Sequence, residues 1–397
     1  MKGSFCFIVT KIVHFDLKGA PPKVNYIIEL INFFKSLGIN GILLEYEDMF
    51  PYTGDLEYLR RPDCYSESEI RQIIQIAQMN EMEVIPLVQT FGHLEFVLKH
   101  NKFKNLRENQ SSPDTICPSK PESFELLTEM LQQIRRLHVN STIIHIGADE
   151  AQFIGQDRDC EYKLNMELSN SVDRLKLWHI TRIASLARKT GFREVWAWND
   201  MFGKIRTSLL VESGIGNLLT PIVWGYSTDV TTPGYFPGGM FKRFSSVFNK
   251  MLFGSAFKGA NGIGNAFIDV FRYLSNQMSY VELLRKNSTE LHNRVSGIVL
   301  TGWQRYNHFA PLCELMPVGI PSLVLAINYL DNIHLTMFLL KATLGCPLLE
   351  KSENTVQYGG LTLAKPFEEM FRNGTFPGHE VFDLVNYVFK LFFKVYI

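Results

Sequence analysis

The sequence has no excess of charge of either sign, because Lys plus Arg and Asp plus Glu number 40 each in 397 residues. Nucleic-acid-binding proteins usually carry a basic excess or a basic stripe, and neither is evident here. No apolar run reaches the roughly 18 residues that a membrane-spanning helix needs. The composition therefore predicts a globular protein that acts on a neutral or small substrate, with no nucleic-acid or membrane partner.

The cysteines lack the CxxC spacing that zinc sites usually show, and they suggest no disulfide framework. They are Cys6, Cys64, Cys117, Cys160, Cys313 and Cys346. We expect free thiols in a reducing compartment, and neither a metal nor a cofactor. The N-terminal apolar stretch is interrupted by Lys11 and has no small-residue cleavage site, so it predicts a strand rather than a signal peptide. A cytoplasmic and nuclear location is the expectation, and a homodimer is left open.

Short apolar runs alternate with longer segments of helical periodicity along most of the chain. Eight runs are predicted to be strands, and they cover residues 7–15, 39–45, 82–89, 142–147, 194–198, 221–224, 251–256 and 297–303. Helices are predicted between them, the clearest at 24–37, 66–80, 122–138 and 172–189. Ser66 and Glu69 have the spacing of a capping box at the start of the second helix.

This alternation predicts an α/β protein with parallel strands and covering helices. Eight units over about 300 residues fit a (β/α)8 TIM barrel better than an open doubly wound sheet. The open sheet would usually carry a glycine-rich phosphate-binding turn after its first strand, and the segment 16–21 is different. We predict a catalytic barrel over residues 1–330 and a helical C-terminal extension over 331–397 packed on it, including an amphipathic helix at 382–397.

Ionisable and aromatic residues collect just after the predicted strands, at the end of a barrel where active sites lie. The clearest case is the run 143–150, in which a buried-type strand and a small-residue turn lead to Asp149 and Glu150. Like charges crowded at a strand end raise one pKa, and one neutral and one ionised carboxyl group is what glycosidic bond cleavage requires. The other strand-end candidates are Asp16, Gln89, His93, Trp198, Asp200, Trp224, Tyr226, Lys258, Trp303, Arg305 and Tyr306.

The segment 145–150, His-Ile-Gly-Ala-Asp-Glu, resembles the His-x-Gly-Gly-Asp-Glu signature of glycoside hydrolase family 20, the β-N-acetylhexosaminidases, with Ala148 for the second glycine. Further similar segments at 14–22, 45–52, 65–70, 84–93 and 300–306 fall in the family's order, and the resemblance covers roughly residues 10 to 325. The segments at 14–22, 45–52 and 300–306 are closer to the family's nucleocytoplasmic branch. This resemblance implies a retaining enzyme that removes terminal N-acetylgalactosamine or N-acetylglucosamine, with the galactosaminide preferred.

In this family the 2-acetamido group of the substrate is the nucleophile. The resemblance implies that Glu150 is the general acid and then the general base, while an ionised Asp149 orients the acetamido group and keeps Glu150 protonated. His93 would support the acid, and His145 would be structural. Three tryptophans at strand ends would enclose the sugar ring: Trp198, Trp224 and Trp303. For Asp16, binding of a sugar hydroxyl and capping of the backbone are equally open.

The sequence departs from the family pattern at several positions that concern hydroxyl recognition. Gln89 replaces an acidic residue, Gly19 replaces an arginine with Lys18 beside it, and Arg305 replaces a glutamate. The tyrosine that holds the acetamido carbonyl has no direct match, and Tyr226 or Tyr306 could replace it. Three rivals stay open: a catalytically silent sugar-binding barrel, the glycosidases that remove O-linked sugars from proteins, and a metal-dependent barrel hydrolase.

Overall fold

The computed structural model describes residues 10–331, 355–358, 361–364 and 376–385. Eight parallel strands form a closed barrel in the order β1-β8-β7-β6-β5-β4-β3-β2. The strands are β1 Thr10–Asp16, β2 Gly41–Glu45, β3 Glu83–Leu87, β4 Ile143–His145, β5 Glu194–Trp198, β6 Thr220–Trp224, β7 Met251–Lys258 and β8 Val295–Gly302. The barrel closes where β1 pairs with both β2 and β8. The predicted TIM barrel is confirmed.

One principal helix follows each strand and covers the outside of the barrel. These helices are α1 Val24–Ser36, α2 Glu67–Met79, α3 Pro121–Leu137, α4 Val172–Lys189, α5 Thr207–Ser213, α6 Met240–Val247, α7 Val270–Lys286 and α8 Met316–Asp331. The predicted capping box is present, because the Ser66 hydroxyl accepts from the Glu69 amide and the Glu69 carboxylate accepts from the Ser66 amide. No helix among the described residues is long and apolar enough to cross a membrane.

The core has two layers because each barrel strand is buried on both faces. The larger layer fills the space between the barrel and its helices. The smaller lies inside the barrel and includes Ile12, Leu43, Ile85, Ile222 and Val299. Trp198 closes the top of this inner layer and is 1% exposed. Side chains beyond it, at the carboxyl ends of the strands, therefore stand over a packed floor.

The connection from β3 to α3 is longer than the others and contains elements that the sequence did not predict. A short helix, Glu95–Leu98, is followed by a two-stranded hairpin of Arg107–Asn109 and Ser112–Ile116. The amide of Ile116 donates to the carbonyl of Phe91, and the amide of Leu94 donates to that of Asp114. The hairpin therefore holds both sides of the loop that carries His93.

The predicted C-terminal extension is described only in part. Thr355–Tyr358 and Leu361–Ala364 pair as antiparallel strands, and residues 379–385 are helical. The Tyr26 hydroxyl on α1 donates to the carbonyl of Pro377 at 2.9 Å, so this part contacts the barrel. Most of the amphipathic helix predicted at 382–397 lies outside the described residues, and the predicted domain boundary near residue 330 stays a prediction.

Candidate active site

A pocket opens at the carboxyl ends of the strands, where the sequence predicts the site. Nine predicted site residues line it: His93, Asp149, Glu150, Trp198, Trp224, Tyr226, Trp303, Arg305 and Tyr306. Four further lining residues were not among the predicted site residues: Lys18, Glu45, Gly259 and Ala260. The remaining predicted residues do not line the pocket but contact residues that do; they are Asp16, Gln89, Asp200 and Lys258.

The turn after β4 directs the two adjacent carboxyl groups into the pocket. Gly147, Ala148 and Glu150 all have positive φ angles, of 62°, 66° and 42°. This left-handed backbone ends the strand earlier than predicted, and it costs a residue with a side chain more than it costs glycine. The neighbouring loop is also close, because a Cβ atom added to Gly92 would lie 2.2 Å from the carbonyl oxygen of Asp149. Tight backbone packing thus fixes the turn.

His93 lies between the two carboxyl groups and also has a positive φ angle, of 52°. Its Nε2 atom is 3.1 Å from Oε2 of Glu150 and 3.5 Å from Oδ2 of Asp149. The Asp149 side chain is 7% exposed, whereas that of Glu150 is 48% exposed. One carboxyl group is therefore deep in the pocket and the other faces its mouth, with one imidazole in reach of both.

The electrostatics of the pocket differ from the sequence expectation. Burial raises the pKa of Asp149 to about 8, although the charge of His93 opposes the rise. The hydrogen bond with His93 lowers the pKa of Glu150. These two pKa shifts run opposite to the predicted order, in which Asp149 is ionised and Glu150 protonated, because sequence proximity reveals neither the burial of Asp149 nor the imidazole.

The same pair of carboxyl groups controls the charge of His93. Burial disfavours the imidazolium, but the charge of Asp149 and the hydrogen bond with Glu150 outweigh it and raise the pKa of His93 to about 10. The imidazole is therefore cationic at neutral pH. The protonation of His93 and that of Asp149 are therefore coupled, because the charge of each stabilises the opposite charge of the other.

Asp200 connects the catalytic turn to the aromatic wall. One of its carboxylate oxygens accepts from the Glu150 amide at 2.9 Å, and the other accepts from the Trp224 indole at 3.1 Å. Tyr226 stacks on Trp224 with ring centres 5.2 Å apart and meets Trp303 edge-on at 6.3 Å. Asp200 thus positions the backbone of Glu150 and one ring of the aromatic wall.

The opposite wall is charged and begins with Glu45 at the end of β2. This fully buried carboxylate accepts from Lys18 at 3.2 Å and Gln89 at 3.0 Å, and it lies 3.0 Å from the His14 imidazole. Burial disfavours ionisation, but these neighbours outweigh it and hold the pKa of Glu45 well below its usual value. Gln89 therefore acts through Glu45 rather than through Glu150. Glu45 follows the strand-end rule and could have been selected by it.

The polar atoms of Asp16 and Lys258 are bound to the protein itself. Asp16 accepts from the backbone amides of Lys18 and Gln304. Of the two roles that the sequence leaves open for Asp16, these contacts correspond to capping of the backbone. The Lys258 ammonium donates to the carbonyls of Trp303 and Glu314 at 2.6 and 2.9 Å. Both residues fix the loop after β8 and support the pocket from behind.

Arg305 extends over Gly19, so that a side chain at position 19 would meet it. A Cβ atom added to Gly19 would lie 3.1 Å from Cζ of Arg305. Nη2 of Arg305 is 3.1 Å from Nδ1 of His308, whose Nε2 is 2.5 Å from Glu47. Nε of Arg305 is buried and has no hydrogen-bond partner among the described residues. The guanidinium is therefore held in place at the charged wall, and Arg305 lines the pocket.

His145 has the structural place that the sequence predicts. It is fully buried in β4, its Nδ1 accepts from the amide of Gly147 at 2.9 Å, and its ring lies 4.4 Å from that of Trp198. Burial lowers the pKa of His145 to about 3, so the ring is neutral. Tyr306 is at the rim, where its hydroxyl accepts from the amide of Gly262 at 3.2 Å.

Comparison with known proteins identifies the family. The family model described as glycosyl hydrolase family 20, catalytic domain, matches residues 51–216. Hexosaminidase D from Homo sapiens is 40% identical over 390 residues, which cover 98% of this chain and 76% of that protein. Hexosaminidase D from Bos taurus is 42% identical over 322 residues, covering 81% of this chain and 91% of that protein.

The fold is also found in solved structures of low sequence identity. A β-N-acetylhexosaminidase from Bacteroides fragilis superimposes with a TM-score of 0.62 at 16% identity, covering 85% of this chain and 71% of the other. An exo-β-N-acetylglucosaminidase from Vibrio harveyi, in complex with N-acetylglucosamine, gives 0.56 at 16% identity, covering 85% and 58%. The family predicted from the sequence is confirmed: this chain belongs to glycosyl hydrolase family 20.

Proposed function

We propose that the protein is a retaining exo-β-N-acetylhexosaminidase that removes terminal N-acetylgalactosamine or N-acetylglucosamine with the help of the substrate's own acetamido group. The observation that carries the proposal is the arrangement of Asp149, His93 and Glu150 in a pocket with aromatic walls. A pocket rather than an open groove favours a terminal sugar. Family membership and the names of the relatives support the same activity.

The two carboxyl groups have separate roles in this proposal. Asp149, deep in the pocket, accepts from the acetamido N–H and directs the acetamido oxygen at C1 of the sugar. As that oxygen forms its bond to C1, the bond from C1 to the aglycone breaks, and Glu150 gives its proton to the departing oxygen. The ionised Asp149 then stabilises the positive charge of the cyclic intermediate. Glu150 finally removes a proton from the water that opens this ring at C1.

The chemistry requires two protons on the group formed by Asp149, His93 and Glu150. In the reactive arrangement Glu150 is neutral, His93 is protonated and Asp149 is ionised. Only one proton has to move, from Asp149 to Glu150, with His93 within 3.5 Å of both carboxyl groups. An acetamido N–H that donates to Asp149 favours the ionised form of that residue and so favours the transfer. Substrate binding therefore prepares the acid.

The walls of the pocket have distinct roles in holding the sugar. Trp224 and Trp303 offer apolar faces to the C–H groups of the ring. Tyr226 stacks on Trp224 and borders the catalytic pair, so we assign the acetamido carbonyl to its hydroxyl group. Tyr306 lies at the rim and is exposed, so it is farther from the enclosed part of the pocket. Because the Lys18 ammonium is bound by three carboxylates, we assign the sugar hydroxyls to Arg305, the other cation that lines the pocket.

The proposal is tested with Glu150→Gln, assayed on a chromogenic β-N-acetylgalactosaminide. The amide keeps the shape of the side chain but carries no acidic proton, so kcat/KM should fall by about 10³-fold or more. Glu122→Gln, at an exposed site on α3, is the matched control and should keep full activity. Full activity of Glu150→Gln would contradict the proposal.

A catalytically silent sugar-binding barrel would bind the sugar without any turnover by the wild type. A thiazoline that mimics the cyclic intermediate distinguishes the two functions further. The enzyme should be inhibited competitively and more tightly than by the free sugar, because the mimic resembles the intermediate. A silent binding protein has no reason to prefer it.

Substrate preference is a finer part of the proposal. Resemblance to the nucleocytoplasmic branch favours galactosaminides, and Arg305 is placed to contact ring hydroxyls. Paired aryl glycosides of N-acetylgalactosamine and N-acetylglucosamine, with the same leaving group, measure the ratio of kcat/KM directly. A ratio above one for the galactosaminide is expected, and a ratio below one would contradict this preference alone.

We further propose a cytoplasmic and nuclear location, as the sequence predicts. The cysteines of the described residues, Cys64, Cys117, Cys160 and Cys313, are free thiols, which supports a reducing compartment. Fractionation of cells that express the chain with a small epitope tag tests this location. Recovery in the secretory pathway would contradict it.

A further inference from the structure

Two buried thiols lie in contact beneath the segment that follows the catalytic pair. Sγ of Cys117 is 3.2 Å from Sγ of Cys160, and both residues are fully buried beside Leu164 and Leu175. This separation is shorter than an ordinary non-bonded contact, which is about 3.5–4.0 Å even between carbon atoms. Only small side-chain rotations separate the pair from a covalent bond of about 2.05 Å.

The two thiols lie on separate segments of the chain, one next to the loop that carries His93 and the other after Glu150. We use the name clasp for the hairpin of residues 107–116. The clasp binds the His93 loop through the backbone bonds of Phe91 and Leu94, and Cys117 follows it directly. On the other side, the Glu108 carboxylate of the clasp accepts from the amides of Gln156 and Asp157 at 2.7 and 3.3 Å.

Cys160 lies just beyond that second contact, in the first turn of the helix Arg158–Met166, which Asp157 caps. A bond between the two sulfurs would therefore restrain the clasp against the segment that leads away from Glu150. It would hold together the two loops that bring His93 within hydrogen-bonding distance of Glu150.

A metal ion fits these residues less well. Two thiolates on a tetrahedral zinc, with bonds of about 2.3 Å, lie about 3.8 Å apart. Among the described residues, one further ligand atom is near, from Glu108. Three ligands are one fewer than a closed structural zinc site requires. The sulfur separation and the ligand number therefore both favour a bond between the sulfurs.

We propose that Cys117 and Cys160 form a reversible disulfide that locks the clasp onto the segment following Glu150. A hydroperoxide is the oxidant. One sulfur, as thiolate, attacks the peroxide O–O bond and becomes a sulfenic acid, and hydroxide (for hydrogen peroxide) leaves and takes up a proton. The second thiol attacks that sulfur, the S–S bond forms and water leaves. The sulfurs lose two electrons and the peroxide gains them; a small dithiol reverses the change by exchange.

The environment of the thiols makes the oxidation slow. The contact with Cys160 and burial both raise the pKa of the Cys117 thiol, so it stays protonated at neutral pH. Reaction therefore requires a transient opening of the clasp, and it should take longer than oxidation of the partly exposed Cys64. In a reducing compartment the resting state is the dithiol.

The test treats the full chain with a small excess of hydrogen peroxide, blocks the remaining thiols and maps the peptides. We expect a linked peptide pair containing Cys117 and Cys160, with the loss of two hydrogen atoms. The oxidised chain should melt several degrees higher, and dithiothreitol should reverse the shift. Its kcat should be unchanged, because the sulfurs are already in contact.

Two variants complete the test. Cys160→Ser should lose both the linked peptide and the shift in melting temperature, whereas Cys313→Ser, at another buried thiol, should keep them. The proposal would be overturned if the Cys117–Cys160 peptide were absent after the peroxide treatment had been continued past the oxidation of Cys64, until the number of free thiols no longer fell. It would also be overturned if the untreated chain contained about one zinc ion and the Cys117→Ser variant contained none. If Cys160→Ser failed to fold, the peptide map of the wild type would still decide.

Discussion

Replacing His93 with asparagine removes the cation between the two catalytic carboxyl groups and keeps a polar side chain. Nε2 of His93 is 3.5 Å from Oδ2 of Asp149, and the raised pKa of His93, about 10, keeps the ring charged at neutral pH. At an effective dielectric constant of 20, a unit charge at this distance stabilises the ionised Asp149 by about 5 kcal/mol. That energy corresponds to an upper bound of about 3.5 pKa units, since solvent screens part of it.

The sign of the change follows from the charge. Without the cation, the ionised form of Asp149 is less stable, so its pKa should rise from about 8 by at least roughly one unit. The pKa of Glu150 should also rise, because its hydrogen bond with His93 lowers it in the wild type. Both limbs of the pH profile of kcat/KM, which reports the free enzyme, should therefore move to higher pH.

The assay measures kcat/KM on an aryl N-acetylgalactosaminide between pH 4 and pH 10. In the wild type the alkaline limb should fall near pH 8, where Asp149 loses its proton. The plateau of His93→Asn should be about 10- to 100-fold lower, because Glu150 loses the contact that orients it. His292→Asn, at an exposed site, controls for loss of a histidine. Limbs that stay in place, or that move to lower pH, would refute the reasoning.

Three further predictions concern the turn, the charged wall and the core. Gly147→Ala should lower the free energy of unfolding by about 2–4 kcal/mol, because the Cβ atom of the new alanine would lie 1.9 Å from Oε1 of Gln89. The control, Ala148→Gly, should change the free energy of unfolding by less than about 1 kcal/mol. Chemical denaturation measures both values. Arg305→Ala should lower kcat/KM by about 10- to 100-fold, because the variant loses a charge-assisted hydrogen bond to a sugar hydroxyl. On a deoxy substrate that lacks this hydroxyl, the substitution should cause no such loss. Equal losses on the two substrates would contradict the assignment. Burial lowers the pKa of His138 to about 3, so the stabilising effect of the neutral ring is present above pH 6.5 and declines as the pH falls towards 3. In denaturant titrations over this range, the free energy of unfolding of the wild type should fall by about 1.4 kcal/mol per pH unit relative to that of His138→Gln. A difference between the two proteins that does not change with pH would contradict this.

Hydrophobic periodicity was sufficient to predict the barrel, because each strand and helix must bury its own residues. The helix predicted at 172–189 and the strand predicted at 194–198 are observed with those bounds. The errors in the predicted elements occur where backbone conformation or tertiary contacts determine the structure. The strand predicted at 142–147 ends at His145, because Gly147 and Ala148 adopt positive φ angles. The hairpin at 107–116 is stabilised by the His93 loop and has no periodic pattern of its own.

For the site, as for the fold, the local sequence pattern predicts some features, and tertiary contacts determine the others. Strand ends and the segment 145–150 were sufficient to find Asp149, Glu150 and His93. The order of the two carboxyl pKa values could not be predicted, because it depends on burial and on a histidine from another strand. The place of Arg305 over Gly19 was equally inaccessible, since it depends on how the first and eighth units meet.

The direct test of the central claim measures the wild type on aryl glycosides whose N-acetyl group carries zero, one, two or three fluorine atoms. Each fluorine weakens the acetamido oxygen as a nucleophile and leaves the sugar and the leaving group unchanged. The account predicts a steep, progressive fall of kcat/KM along the series, because the acetamido oxygen forms the bond to C1 in the transition state. Rates that do not depend on fluorination would contradict it.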